Sequence, residues 1–243
     1  MFWEDKMVVE MNQVTFSYDK KDPVIKELSL KIYEGDRLGI VGPNGAGKTT
    51  LFFLMAGVEK PNYGNVYLFG EKVLHKRFYP QLGMVFQNTD DQLFHPSVWD
   101  DIAFGPRNMG LSEDMVRNRV EDALKILEIS YLKDRLIHQL SGGEKRLVSI
   151  AGILAMGSDF VIYDEPTSNL DMYHRRKLID FLKKSKEKAL IVASHDLEFV
   201  LEVCNRVIIF DKGCIVADGA PKDILSNKVL MEKHSLEVPY SLR

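Results

Sequence analysis

The sequence predicts an α/β fold on a mostly parallel core sheet, with an antiparallel β subdomain at its amino end and an inserted α-helical subdomain. Three observations lead there. Short apolar runs of strand length alternate with stretches of helical period in both the early and the late parts of the chain. The residues before the first of these runs alternate apolar and polar positions around a turn-rich break, a pattern of antiparallel strands. Between residues 87 and 140 the strand signals fade and a helical period takes over. At 243 residues the chain has room for one large α/β domain, or for such a domain with a smaller appended part.

The elements follow in order. Residues 8–16 and 28–32 are β-rich and flank the turn-rich stretch 18–23, which makes them the antiparallel strands. Residues 37–41 form a short apolar strand that runs into a glycine-rich loop and then a helical run over 49–57. Within 113–127, Met115, Val116, Val120, Ala123, Leu124 and Leu127 recur at helical spacing. Residues 147–156 are a further apolar helical run. Residues 160–163, 190–193 and 207–210 read as strands, with helical patterns over 173–186 and 196–203 between them. The stretch 220–243 predicts one short helix ending near Asn227 and a polar tail containing Pro239, partly ordered at best.

Composition narrows the class. Apolar residues at 45% and charged residues at 28% match soluble globular chains and exclude disordered, collagen-like and coiled-coil architectures. Stretches without a charge or histidine, 147–158 among the longest, fall short of the ~18–20 apolar residues a spanning helix needs. At the amino end, Glu4, Asp5 and Lys6 stand where a secretory peptide would need an apolar core, so a cytosolic chain is expected. Cys204 and Cys214 are too few and too far apart for a zinc ribbon or a disulfide framework, and both are expected to be structural. Lys plus Arg at 32 against Asp plus Glu at 35 leaves a net charge of −3 and no global electrostatic case for a nucleic-acid partner.

Three segments carry chemistry. Gly42, Pro43, Asn44, Gly45, Ala46, Gly47, Lys48 and Thr49 match GxxxxGK[ST] between a strand and a helix. In that context the glycines let backbone N–H groups wrap phosphates, Lys48 reaches the β- and γ-phosphates, and Thr49 holds Mg²⁺. At average residue usage the pattern arises by accident in about one chain per hundred of this length, and the flanking elements make accident rarer still. Residues 160–165 form an apolar strand ending in two acids, where a parallel sheet exposes its ligands. Asp164 could hold Mg²⁺ through water and Glu165 could polarise the attacking water; alone, the same acids would be an ordinary solvated strand end. Leu140, Ser141, Gly142, Gly143 and Glu144 open the helical run 147–156 with a Ser-x-x-Glu capping box. The two intervening glycines add exposed N–H groups at a positive helix end, a second potential phosphate site.

GPNGAGKTT (42–50), Gln87, LSGGE (140–144), YDEP (163–166), Ser168-Asn169-Leu170-Asp171 and His195 occur in an order that resembles the ATP-binding-cassette (ABC) ATPases over about residues 8–220. The resemblance implies an ABC cassette spanning residues 1–243, with about 88–140 as the helical insertion and about 220–243 as a C-terminal extension. It implies ATP and Mg²⁺ as cofactors, with residues through Thr50 in the phosphate loop. It also implies that Tyr18 stacks on adenine, that Gln87 senses Mg²⁺ and the attacking water, and that His195 contacts the γ-phosphate. Residues 168–171, Asp171 included, would line a dimer interface, and residues 141–144 would act on the nucleotide of a second subunit. The stretch 87–110 is similar to the corresponding part of energy-coupling-factor and cobalt/nickel importer ATPases, in Asp90-Asp91-Gln92-Leu93-Phe94 and in Ala103-Phe104-Gly105-Pro106. Glu144 stands where many ABC proteins have Gln, although that importer group often has Glu.

This predicts the ATPase subunit of an importer of a metal ion or vitamin, peripheral on the cytoplasmic face of the membrane. Its partners would be a transmembrane transporter subunit and a second ATPase subunit, identical or closely related. A soluble ABC ATPase acting on nucleic acid or the ribosome is the alternative; those usually carry two cassettes or a long coiled coil, and this chain has one phosphate loop, one LSGG and no sustained heptads. A small-molecule kinase would leave LSGGE and His195 without a role. The aromatic and apolar residues after Gln87 (Leu93, Phe94, Val98, Trp99, Phe104) would either core the helical insertion or face outward to receive a partner helix.

Overall fold

The structure, a computed structural model, describes residues 6–19 and 22–243. Glu4 and Asp5, used above to argue against an export signal, lie outside the described residues, as do Lys20 and Lys21 of the turn-rich stretch. In chain order the elements are β1 (Met7–Phe16), β2 (Ile25–Tyr33), β3 (Arg37–Val41), α1 (Lys48–Met55), β4 (Tyr63–Leu68), β5 (Glu71–Lys72) and β6 (Leu82–Val85). There follow α2 (Val98–Asn108), α3 (Glu113–Ile126), α4 (Gly142–Met156), β7 (Phe160–Asp164) and α5 (Met172–Lys184). The chain continues through β8 (Ala189–Ala193), α6 (Leu197–Val203), β9 (Arg206–Asp211), β10 (Cys214–Gly219), α7 (Pro221–Leu225) and α8 (Lys228–Lys233). They fall into two compact units, one of the described residues through Tyr79 together with Lys188–Arg243, the other Pro80–Glu187.

In the first unit β2, β1, β4 and β5 make an antiparallel sheet in that order. Leu28, Leu30 and Ile32 are buried in alternation with exposed neighbours, so the period-two pattern puts one face of β2 inward. The same unit holds β8, β3 and β9 as parallel neighbours, with Leu38 opposite Ile191 on one side and Arg206 on the other, and β10 antiparallel at the edge of β9. The core residues of β3 and β8 are nearly all apolar and buried, as parallel strands covered on both faces require.

In the second unit β6 and β7 pair in parallel, and α2 and α3 pack on α4. Val116, Val120, Ala123 and Leu124 form the buried stripe of α3, with Leu127 buried just past its end. Met115, placed on that stripe by spacing, is exposed instead, since it leads Val116 by a hundred degrees and falls off the stripe's edge.

Strands β4, β5, β6 and β10 have no counterpart in the sequence reading. The stretch 220–243 also departs from it. In place of one helix and a loosely ordered tail it forms α7, α8 and a closing turn over Tyr240–Leu242, held by contacts distant in sequence. Ser241 donates from N and Oγ to the Glu198 carboxylate (2.9 and 2.7 Å), and His234 Nδ1 lies 2.9 Å from Asp211 Oδ2. Cys204 is packed in the core, where burial pushes its thiol up to about 12, and Cys214 is half-buried on β10. Among the described residues no helix is long and apolar enough to cross a membrane.

Candidate nucleotide site

In the first unit the phosphate loop lies between β3 and α1. A Cβ on Gly42 would stand 1.9 Å from the Phe210 carbonyl oxygen of β9, so the loop can leave the sheet only through a glycine. Gly45 (φ 76°) and Gly47 (φ 104°) are both left-handed, and a Cβ on Gly45 would project into open space. Packing therefore does not demand Gly45; the backbone turn does. Lys48 Nζ folds back over the loop and donates to the carbonyls of Gly42 (2.7 Å) and Pro43 (3.1 Å). Asn44 Oδ1 is 2.8 Å from His195 Nε2, which brings the histidine after β8 to the loop. The Tyr18 hydroxyl pairs with Thr50 Oγ1 at 3.1 Å, while its ring stays exposed and meets Phe16 edge-on at 4.9 Å. Tyr18, Asn44, Lys48, Thr50 and His195 are thus gathered from three separate stretches of chain, with Ala46 and Thr49 between them in the loop and first helical turn.

In the second unit β7 delivers Asp164 and, one residue on, Glu165, both buried. Glu165 has a left-handed backbone (φ 51°), which turns its carboxylate off the strand's alternation. Arg146 of α4 is 1% exposed, and its two terminal nitrogens donate to the carbonyls of Phe86 and Gln87. Burial holds its guanidinium below the usual arginine range, while the charges of Asp164 and Glu165 pull it back up. Gln92 adds a second clasp, accepting from Phe86 N (2.9 Å) and donating to the Ser149 carbonyl (3.2 Å), and Lys145 reaches Asp90 at 2.7 Å. The Gln87 side chain is exposed, but its carbonyl is held by Arg146 of α4, and the Phe86 N–H before it is tied to α4 through Gln92.

Sequence reasoning gave Arg146 no role. The signal was available: residues 147–156 have no polar face, so a charge at the start of that run has no solvent to turn to and must be paired inside.

At the amino end of α4, Ser141 Oγ accepts from Glu144 N (3.3 Å) and Glu144 Oε2 accepts from Ser141 N (2.8 Å), the capping box expected from sequence. That backbone N–H is the main reason the Glu144 carboxyl is held low. A Cβ on Gly143 would stand 2.9 Å from the Asn169 carbonyl oxygen, so 143 tolerates no side chain without moving the 168–171 segment, whereas Gly142 is open to ordinary contact. Asp171 caps α5, accepting from His174 N at 2.8 Å with His174 Nδ1 at 2.9 Å. Residues 141–144, Asn169, Asp171 and His174 line one cavity of about 400 Å³. His174 is the member the sequence reading missed; an N-cap three residues ahead of it was the only hint.

Beyond Gln87, the apolar residues divide. Leu93 and Val98 are buried, as core of the helical part. Phe94 (63% exposed) and Phe104 (39%) face outward, edge-to-face at 4.7 Å with the His95 ring beside both, and Asp101 Oδ1 accepts from the N–H groups of Phe94 and His95. Burial raises the Asp101 carboxyl. Trp99 is half-buried under the Lys133 ammonium, 4.7 Å from its ring.

A glycine cradle after a parallel strand, an acidic strand end and a capped LSGGE helix define a cassette-type ATPase. The ABC transporter family profile matches residues 25–168, and the chain belongs to that family: it is an ATP-binding, ATP-hydrolysing cassette. A Synechocystis sp. protein assigned to the ABC transporter ATP-binding proteins is 51% identical over 97% of this chain and 82% of its own length. The energy-coupling factor transporter ATP-binding protein EcfA of Methanothermobacter thermautotrophicus is 38% identical over 96% of this chain and 77% of its own. Among solved structures, CbiO1 of Clostridium perfringens, described as part of the ABC transporter complex CbiONQ, superposes with a TM-score of 0.81 at 34% identity, over 95% of this chain and 94% of its own.

Proposed function

We propose that this chain is the ATPase subunit of an importer, a single cassette over 1–243 with 88–140 as its helical insertion and 220–243 as its C-terminal extension. It works on the cytoplasmic face of a membrane and drives a separate transmembrane chain that carries a metal ion or a vitamin. The names of the EcfA and CbiO1 relatives, an energy-coupling factor transporter ATP-binding protein and part of an ABC transporter complex, support a role in transport.

The glycine cradle fits a phosphate chain: the backbone of 42–50 wraps the phosphates, and Lys48 exchanges its carbonyl partners for phosphate oxygens. Tyr18 stacks its exposed ring on the adenine. Thr49, Gln87 and Asp164 offer the hard oxygen donors that suit Mg²⁺. When bound, the ion neutralises phosphate charge as the γ-phosphoryl departs. Glu165 orients and deprotonates the attacking water, and His195, steadied by Asn44, contacts the γ-phosphate. Residues 141–144 with Asp171 complete the site of a second ATPase subunit, identical or closely related.

The observation that carries the transport reading is the exposed Phe94–His95–Phe104 cluster, on the segment fastened behind Gln87. An outward aromatic patch there suits a helix of the membrane partner. The test is purification from native membranes of the wild-type chain and of Phe94→Glu. The wild type is expected to bring an integral membrane protein with it; the variant should fold and bind ATP yet arrive without that protein. Recovery with ribosomes or nucleic acid would instead support the non-transport alternative, and normal assembly of the variant would remove Phe94 from docking.

A further inference from the structure

The cavity beside residues 141–144 is poorly equipped for an anion. Its lining contains two carboxylates, Glu144 and Asp171, and neither lysine nor arginine. Hydrogen bonds from the backbone N–H groups of Ser141 and His174 hold both carboxyls below their usual range, so both stay negative. The amino end of α4 contributes only about half a positive charge, so a triphosphate arriving there meets a net negative wall. One lining side chain can become a cation, and that is His174. Asp171 binds its backbone N–H with one oxygen and its Nδ1 with the other, which fixes the ring on the first turn of α5 and leaves Nε2 as the nitrogen a ligand can use. Capping accounts for Asp171 but does not call for an imidazole three residues later.

We propose that His174 is a phosphate-binding residue of this cavity: its imidazolium donates from Nε2 to the triphosphate held by the opposing subunit and offsets Glu144 and Asp171. The proposal rests on the composite two-subunit site proposed above. The carboxylates that act on His174 include Asp171 ahead of α5, Glu144 on α4, and Glu128 after α3, and Arg175 follows it on α5. Glu128 is itself bound by Lys177 (2.6 Å) and the Tyr173 hydroxyl (2.9 Å), and Arg135 acts on Glu144.

The experiment measures ATP-dependent association of the ATPase pair as isolated, carrying Glu165→Gln to retain nucleotide, at about pH 6 and about pH 8. The parent should associate roughly tenfold more tightly at the lower pH, the size of one charge-assisted hydrogen bond. His174→Gln should lose that step, while His174→Lys should stay tight at both values. The nucleotide and His195 are common to all three proteins and drop out of the comparison. An unchanged pH step in His174→Gln, or a His174→Lys no tighter than the parent at the higher pH, overturns the proposal. Gly143→Asp separates the two readings. Association that survives it, or a parent that never associates, removes the composite site itself; association lost in Gly143→Asp with His174 variants behaving like the parent removes only His174.

Discussion

Glu165 is the residue at which local conformation and chemistry meet. A side-chain-bearing residue at φ 51° is uncommon, and here it follows a fully buried strand, so the surrounding fold holds a backbone that the residue alone would avoid. Replacing it with glutamine keeps volume and shape and removes the charge that could take a proton. Glu165→Gln is therefore expected to retain ATP binding while turnover falls by roughly 10²–10⁴, checked by nucleotide titration beside single-turnover hydrolysis. Turnover within twofold or so of wild type would take the base role away from Glu165. The two acids were legible because an apolar strand ending in charge has few reasons to exist in a sheet interior. The left-handed turn was not, because nothing in the order of residues 163–166 encodes a dihedral angle that tertiary packing enforces. Tyr18 is similar: a tyrosine in a turn says little until its hydroxyl is seen on Thr50.

Among the elements, α4 does the most. Its amino end carries the LSGGE turn, and just after it Arg146 grips two successive backbone carbonyls, those of Phe86 and Gln87. Arg146→Met would leave two carbonyl oxygens without their donors, at a cost of about 1–3 kcal/mol for each one left unsatisfied and buried. The expected variant melts at lower temperature and hydrolyses ATP slowly even where it is folded, because the backbone of Gln87 is no longer fixed. Arg146→Lys should recover only part of both, since one ammonium cannot serve a two-pronged contact. Melting and kcat measured together check this; a variant that loses stability but keeps kcat would make the arginine purely structural. The elements that could be read in advance, β3, α1, α3 and β7, have strong periods or abrupt ends. Those that could not are β4, which opens with Tyr-Gly-Asn, the four-residue β6, and β10, a half-exposed edge strand. Short or half-wet strands are defined by their neighbours more than by their own residues.

For the whole molecule, one phosphate loop and one LSGGE turn per chain make a test of assembly direct. Lys48→Ala removes the cation of the loop, and Gly143→Asp drives a side chain against the Asn169 carbonyl and puts a negative charge in the cavity. Each protein alone should fail to trap nucleotide, and a mixture should trap it at the one site per pair that keeps both halves. Mixed pairs shown to form without trapping would count against the composite arrangement. The folded 220–243 stretch was misread at this scale, because the groups that order it, Glu198 and Asp211, are far away in sequence and a polar tail gives no hint of them. The cradle described at Gly42–Gly47 has its own consequence for anyone handling the protein. Peptide groups arranged to receive phosphate do not distinguish a nucleotide's tail from free inorganic anions, so sulfate or phosphate in the buffer will compete for the same pocket. Apparent ATP affinities should then weaken in proportion to such anions while remaining steady in chloride, and purification in ammonium sulfate would deliver a protein whose loop is already filled.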